Sequence, residues 1–293
     1  MRARAPASAA NLGPGFDALA LAVDRYVEVE IEPAARLTVR SEGEGAGLAD
    51  DASHLAARVA VDVVGHDRLA ITVRSQIPVA RGLGSSAALA AAAAAAAGAT
   101  DPLGVAARVD GHPENAAASV VGGLVAAGTV GGTARAAHLP LDPSLVVVVI
   151  VPDRTLPTAE ARQVLPDRVD RPDAAFNLGR MGLLLAGLAD RRALVREATE
   201  DRLHQDYRSA LFPEAPDLLA ALVDGGALAA CWSGAGPSLL GFTTVADEPA
   251  VRSAARVALA AAGVAGRVLV LRPDLVGLVT GDAARLPAVE DDE

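Results

Sequence analysis

The sequence predicts an α+β protein, and three observations lead there. Strand-like and helix-like segments alternate irregularly, without the repeated strand–helix unit of a doubly wound parallel sheet. Tyr26 to Glu32 alternates apolar and charged residues, with Val27, Val29 and Ile31 on one face, as a half-buried strand does. Ala90 to Ala97 is a run of the best helix former, whereas Leu145 to Val151 is a continuous β-branched run that reads as a buried strand.

The remaining elements follow in order. Leu37 to Arg40 is expected to pair with the Tyr26 strand, and Ser41 to Asp51, rich in Gly, Glu and Asp, reads as a loop. Ser53 is placed to cap a helix running to about Val64. Leu69 to Val73 reads as a strand, and the Gly/Ser loop Arg81 to Ser86 opens the alanine helix. Helices are expected after Asp101-Pro102 and from Pro113, where proline is tolerated in the first turn. Gly122 to Thr133 looks like a glycine-punctuated hairpin. Beyond Leu145 to Val151, helices are expected at Thr158 to Leu165, Pro172 to Ala189, Arg191 to Asp201, Pro216 to Val223 and Glu248 to Ala262. Short strands at Ala227 to Trp232, Ser238 to Phe242 and Arg267 to Leu271 complete the reading. The expected domain boundary lies at Val151-Pro152, dividing the chain into 1–151 and 152–293.

Composition narrows the chemistry. The chain has 293 residues, enough for a sizeable core, and no apolar run smooth enough to span a bilayer. Nothing resembling a secretory leader follows Arg2 and Arg4, and a cytoplasmic location is expected. A net charge of −10 without a basic cluster, and 2% aromatics, argue against nucleic-acid binding. The single cysteine, Cys231, excludes an internal disulfide and a cysteine-based metal cluster. All 26 basic residues are arginine. The absence of lysine excludes a Walker-type lysine on phosphates and a Schiff-base lysine. Anions must be held by arginine, backbone N–H groups, hydroxyls or a metal. The acidic end, Glu290 to Glu293, reads as a solvated tail.

Four segments carry chemistry. In Arg81-Gly82-Leu83-Gly84-Ser85-Ser86, the glycines allow close backbone approach and the serines stand at the N-terminus of the alanine helix, where free N–H groups and the helix dipole favour phosphate. A serine hydroxyl there could also reach Mg²⁺. An ordinary glycine turn with a serine cap would read the same way. In Pro6 to Asp17 (PASAANLGPGFD), Gly13-Pro14-Gly15 forces a tight turn flanked by Asn11 and Asp17, which alone could be simple turn formers. Asp110-Gly111-His112-Pro113-Glu114-Asn115 offers two carboxylates, an imidazole and an amide at a helix start, suited to capping or to holding a metal. Ser233-Gly234-Ala235-Gly236-Pro237 is a glycine loop between two short strands, a hairpin or a close-approach loop.

In this order the four segments resemble the GHMP kinases, a family of small-molecule kinases. The resemblance runs from Pro6 to about Arg208 and again over Ser233 to Pro237. It implies a two-domain α+β fold with mixed and antiparallel sheets, a ligand cleft between the domains, ATP as co-substrate and Mg²⁺ as cofactor. Pro78, Arg81, Gly82, Leu83, Gly84, Ser85 and Ser86, with Gly234, would then surround the triphosphate, and Ser86 with Asp110 would hold Mg²⁺. The details are similar to the homoserine kinase branch, with Ala9 where a second serine is more usual. There the resemblance puts Asn11 and Asp17 at the substrate's ammonium end. Thr158 and Arg162 look like the family's Thr-x-x-x-Arg. Leu203 to Arg208 resembles its His-Glu-Pro-Tyr-Arg stretch. Arg162 and Arg208 would clamp the carboxylate of L-homoserine, as arginine forks do. Asn115 stands where sister enzymes carry an aspartate base; with Arg162 it would serve catalysis, orienting the hydroxyl without deprotonating it. The implied product is O-phospho-L-homoserine, in threonine biosynthesis. A homodimer is compatible with this reading; nucleic-acid and membrane partners are not expected.

Two departures stand out. The branch usually shows Glu-Gly-His-Pro-Asp-Asn, whereas here Asp110 and Glu114 exchange the carboxylate lengths, so Glu114 is an alternative metal ligand. Asp206 stands where proline is usual. The exchange keeps open a catalytically silent nucleotide-binding homologue, beside another family member with a different acceptor.

Overall fold

The computed structural model describes residues 1–287; the acidic stretch expected to be a solvated tail lies outside the described residues. The chain opens with β1 (Arg2–Ala10) and β2 (Leu19–Pro33), followed by β3 (Thr38–Gly43), α1 (Leu55–Val64) and β4 (Leu69–Ser75). The alanine helix α2 (Ser85–Ala96), α3 (Pro102–Asp110) and α4 (Pro113–Val121) lead into the hairpin β5 (Leu124–Val130) and β6 (Thr133–Leu139). Next come β7 (Leu145–Pro152), α5 (Thr158–Gln163), α6 (Arg171–Ala189), α7 (Gln205–Arg208) and α8 (Ala215–Asp224). β8 (Ala229–Trp232), β9 (Leu239–Thr244), α9 (Glu248–Ala261), β10 (Gly266–Leu271) and β11 (Val279–Thr280) finish it.

Two sheets result, and the α+β expectation holds. The first runs β11-β1-β2-β4-β3, with the β5–β6 hairpin attached to the start of β2; the second runs β10-β7-β9-β8. The first is mixed, since β3 lies parallel to β4, and the second is antiparallel throughout. The chain passes from the first sheet to the second between β6 and β7: among the described residues β7 pairs in the second sheet, with β9 and β10, and β11 returns to the first. One apolar core nonetheless crosses the division, with Val147 and Leu271 packed into the same cluster as Ala3 and Leu21.

The first sheet packs against α2, whose residues Ala87 to Ala94 are buried, all fully except Leu89. A helix buried all round must be apolar all round. Alanine meets that demand with the smallest side chain that keeps full helix propensity, so strands β1 and β2 and helices α1, α3 and α4 all crowd against one cylinder. α3 starts where expected: Asp101 accepts from the Gly104 amide and Pro102 opens the first turn.

Several local expectations are corrected. β3 pairs with β4, not with the Tyr26 strand, whose edges are already taken by β1 and β4. His54, not Ser53, caps α1, its Nδ1 accepting from the Ala56 amide at 3.1 Å, while the Ser53 hydroxyl donates to Asp51. Arg191 to Asp201 forms two short 3₁₀ turns instead of a helix. β1 was not legible as a strand because it is alanine-rich and contains proline. Its Pro6 sits at a register shift against β2, the kind of place where a central strand tolerates proline. Among the described residues no helix is long and apolar enough to cross a membrane.

The dense contacts of α2 make it intolerant of bulk. Ala92→Leu should cost about 1–3 kcal/mol or more, read as a lower urea midpoint with an unchanged slope, whereas the same change at exposed Ala262 should be nearly silent.

Candidate active site

The glycine–serine loop lies between the two sheets. Gly84 (φ 65°) is the N-cap of α2 and makes no side-chain capping hydrogen bond. Gly84, Ser85 and Ser86, at the start of this helix, line a cavity of about 240 Å³. That is smaller than the roughly 300–1,000 Å³ of a drug-sized site, so it suits a small metabolite and a phosphate end. The loop's glycines are sterically required. A Cβ on Gly82 would lie 2.2 Å from the Ser233 carbonyl oxygen, and one on Gly84 would lie 2.1 Å from Ser8 Oγ.

Not every loop residue expected at the phosphates faces the cavity. Gly82, Gly84, Ser85, Ser86 and Gly234 line it; Pro78 and Leu83 do not, and Leu83 is buried in the core. Arg81 borders the cavity, but its guanidinium is occupied elsewhere. It donates to the carbonyls of Pro152 (2.9 Å), Asp153 (2.8 Å) and Val79 (3.1 Å), tying the loop to the end of β7.

The turn between α3 and α4 supplies the acidic wall. Asp110, His112, Glu114 and Asn115 all line the cavity. Burial pushes the Asp110 carboxyl up to about 6 despite nearby Arg162. Burial likewise pushes Glu114 up to about 7, with Asp17 and Asp110 adding repulsion. Glu114 is 3% exposed, and its Oε2 is buried with no hydrogen-bond partner. An orphaned carboxylate oxygen of this kind calls for a cation or proton. Asp110, Glu114 and the two serine hydroxyls are hard oxygen donors on one cavity, and this donor set fits Mg²⁺. No group of three or more carboxylate, His or Cys ligands occurs among the described residues. Mg²⁺ commonly uses one or two carboxylates and completes its shell with water and phosphate oxygens.

Asn115 is held from below. Its Oδ1 accepts from Ser8 Oγ at 2.9 Å, and Ser8 is fully buried in β1. With the oxygen engaged, the amide NH₂ is the part left for a ligand. A Cβ on Gly84 would also lie 3.0 Å from Asn115 Oδ1, so β1, the phosphate loop and α4 meet at this point.

Opposite the carboxylates lie the arginines. Thr158 and Arg162, on α5, line the cavity with Asn11 and Arg208. Asn11 and Asp17 have φ of 68° and 54°, a region that Asn and Asp tolerate best among non-glycine residues. Asn11 Oδ1 accepts from the Asp17 amide (3.0 Å) and its Nδ2 donates to the Gly234 carbonyl (2.8 Å). Asp17 is not among the residues lining the cavity; it pairs bidentately with Arg162, which is, at 2.5 and 3.1 Å. Arg208 is 1% exposed and donates to Gly234 O (3.0 Å), Ala161 O (3.3 Å) and His204 Nδ1 (2.9 Å). Burial and the neighbouring Arg162 charge lower its pKa to about 10.

His204 was noticed only as part of a motif, and Ser8 and Phe16 were not singled out at all. The His204 ring bridges Arg208 to the Gly13 carbonyl (2.8 Å) and stacks on Phe16 at 5.1 Å. Carbonyls accept and guanidinium groups only donate, so the ring is the neutral Nε2–H tautomer. Burial and the Arg208 charge keep it neutral. No spacing rule marks these residues; the signal available was that Ser8 and Phe16 lie inside a segment already carrying chemistry and His204 inside the stretch that the resemblance picked out.

A glycine–serine loop opening a buried helix, beside an amide side chain and two arginines, suits a small molecule that carries phosphate and carboxylate groups. Residues 51–123 match the GHMP kinases N terminal domain and residues 181–265 match GHMP kinases C terminal. The chain is 39% identical over 285 residues to the homoserine kinase of Moorella thermoacetica, covering 92% of this chain and 96% of that protein. It is 41% identical over 276 residues to the homoserine kinase of Streptomyces avermitilis, covering 88% and 89%. A crystal structure of homoserine kinase from Cytophaga hutchinsonii superposes with a TM-score of 0.83 at 26% identity, covering 95% of this chain and 96% of that one. A mevalonate kinase from L. major shares the fold at 15% identity, with a TM-score of 0.65 over 93% and 96% of the two chains. The chain belongs to the GHMP kinase family and has its fold.

Two outcomes are expected. Ser8→Ala should lower turnover about 5–30-fold, the worth of one buried hydrogen bond, and should cost nothing further in an Asn115→Ala background. Steady-state kinetics on the single and double variants check this. Folding raises the Glu114 pKa from 4.5 to about 7, so the folded chain holds this proton more tightly and stability falls as pH rises through that window. Without divalent ion, Glu114→Gln should therefore stabilise the protein at pH 8 by up to about 3 kcal/mol and have little effect at pH 4, as read by urea denaturation.

Proposed function

We propose that this kinase transfers the γ-phosphoryl group of ATP to the hydroxyl of L-homoserine, giving O-phospho-L-homoserine and ADP. The observation that carries the reading is the convergence on one cavity of helix-start amides, an amide side chain and a guanidinium. These groups answer to a phosphate, a hydroxyl and a carboxylate respectively. The names of the relatives supply the same acceptor. Another acceptor would have to present the same three groups.

The residues act by positioning and charge neutralisation, which is most of what phosphoryl transfer needs. The amides at the start of α2, with Ser85 and Ser86, hold the terminal phosphates. Mg²⁺ bound by Ser86 with Asp110 or Glu114 would neutralise charge on the β- and γ-phosphates; the orphaned Oε2 favours a part for Glu114. The Asn115 NH₂ donates to the acceptor oxygen and leaves its second lone pair for phosphorus, and the hydroxyl proton leaves to the transferred phosphate or to water. Arg162 takes the carboxylate, and Asp17 with Asn11 the ammonium. Arg208, spent on two carbonyls and His204, acts in this reading by shaping the wall. We carry the division at residue 151 as part of the proposal: residues 1–151 supply the phosphate and hydroxyl ends of the site, and 152–293 its arginines. Freely diffusing metabolites and a cytoplasmic location fit the reading, and no nucleic acid or membrane is needed.

A coupled ADP-release assay with MgATP and L-homoserine, mevalonate, galactose or no acceptor tests it. Release stimulated by homoserine alone is the expected result, and stimulation by none of the acceptors overturns the reading. Asn115→Asp should cut turnover at least tenfold, because a carboxylate beside the γ-phosphate repels it; unchanged turnover would remove Asn115 from the hydroxyl.

A further inference from the structure

Helix α6 runs for 19 residues, yet only Asn177, Leu184, Gly187 and Leu188 of it are buried. Its inward side is engaged: Asn177 donates to Asp201 (3.0 Å) and accepts from the Arg202 amide (2.9 Å). Its outward side carries Ala175, Leu178, Gly179, Gly182, Leu183 and Ala186, all exposed, with Leu178 at 73%. A surface helix ordinarily turns charged residues to water. Between Asp173 and Asp190 the only charged residue is Arg180, and its guanidinium reaches aside to Glu200, at 2.8 and 3.1 Å. A Cβ on Gly179 or Gly182 would meet nothing within 4 Å, so no contact inside the chain requires these glycines.

We infer that this face of α6 binds the same face of a second copy of the chain, antiparallel, about a two-fold axis between Arg180 and Met181. Two-fold pairing requires that residue i meet residue j while j meets i. About this axis Gly179 falls opposite the partner's Gly182, Leu178 opposite the partner's Leu183 and Ala175 opposite the partner's Ala186. Glycine thus meets glycine, leucine leucine and alanine alanine. The central glycines let the helix axes approach to about 8 Å, and the leucines close over the crossing from either side. The same register carries through to the charged ends. Asp170 falls opposite the partner's Arg191, and Arg171 opposite the partner's Asp190. A parallel pairing would set each of these charges against its own kind. The balanced ends also argue for a copy of the chain over an anionic lipid surface, which basic flanks would serve. One helix face about 28 Å long covers less than the roughly 800 Å² per partner of a standard interface, so the dimer is expected to dissociate on dilution.

Sedimentation velocity on the full chain at low salt, from about 1 to about 200 μM, tests this. The native chain should pass from monomer to dimer across that range. Gly179→Gln combined with Gly182→Gln puts bulk at the crossing and raises helix propensity. It should weaken the dimer by about tenfold or more, while the unfolding midpoint of dilute protein stays unchanged or rises, which separates a lost interface from a lost fold. The Asp170 side chain makes no capping hydrogen bond, so its charge can be changed without uncapping α6. Asp170→Arg and Arg191→Glu should each weaken self-association by about tenfold, since each sets like charges together at both ends. An equimolar mixture of these two variants should recover the native affinity, because opposite charges then meet at both ends. A native chain still monomeric at about 200 μM overturns the inference, as does a dimer that survives the two glycine changes. A mixture no tighter than its components overturns the antiparallel pairing. Flotation with phosphatidylcholine vesicles by a chain that does not self-associate would give the face to a lipid surface, and the inference would fall.

Discussion

The carbonyl of Gly234 is the point on which the site hangs. It accepts from Asn11 Nδ2 at 2.8 Å and from Arg208 Nη1 at 3.0 Å, while the Gly234 amide donates to Ala10 at 2.9 Å. One residue, in the turn leaving β8, thus binds the end of β1, in the first sheet, to a buried charge delivered by α7. A Cβ on Gly234 would lie 3.0 Å from the Gly82 carbonyl oxygen, so the phosphate loop is seated on the same peptide. Ser233 Oγ closes the seat by donating to Gly82 O at 2.7 Å. The cavity's phosphate side and its arginine side are therefore set relative to each other by hydrogen bonds that converge on main-chain carbonyls at positions 82 and 234.

That architecture explains why two arginines that look alike in sequence are used differently. Arg162, half-buried on α5, is paired with the Asp17 carboxylate; Arg208 is locked between two carbonyls and a neutral imidazole. A guanidinium has five donors and no acceptor, so it serves a carbonyl cluster as readily as an anion. Nothing in a sequence distinguishes these uses. Arg81 makes the same point: placed at the head of a phosphate loop, it holds the ends of β7 instead. In a chain without lysine, arginine must fill every cationic role, structural ones included.

What the sequence did make legible follows from how local the physics is. The alanine helix, the β-branched strand β7 and the glycine turns depend on propensity and steric permission, and they appear where expected, within a few residues. β1 escaped notice because its burial is imposed by neighbours on both faces and not by its own Ala/Pro composition. The segment Arg191 to Asp201 has helical composition, yet Gly13 packs against the Thr199 carbonyl, and Asp201 accepts from the Leu203, His204 and Gln205 amides. Those tertiary demands override propensity. Of the site, the glycine loops and the cavity-facing Asn115, Asp110 and Arg162 were legible as residues worth watching. The Ser8 support of Asn115 was not, because it spans 107 positions of sequence and has no motif.

The charges of the site are arranged against the stability of the chain alone. Asp110 and Glu114 are pushed towards neutrality by burial, Arg208 is lowered by burial and by Arg162, and Asp17 and Arg162 pair with each other. Each perturbation has the sign that a bound cation, phosphate or zwitterion would relieve. A cation between the carboxylates favours their ionised forms, and a substrate carboxylate near the two guanidinium groups offsets their repulsion. Strain of this kind is stored where chemistry is performed and is balanced by packing elsewhere. Here the balance comes from the close-packed alanine helix and the core shared by the two sheets, which keep the acidic wall and the arginine wall facing each other across a gap that neither would choose alone.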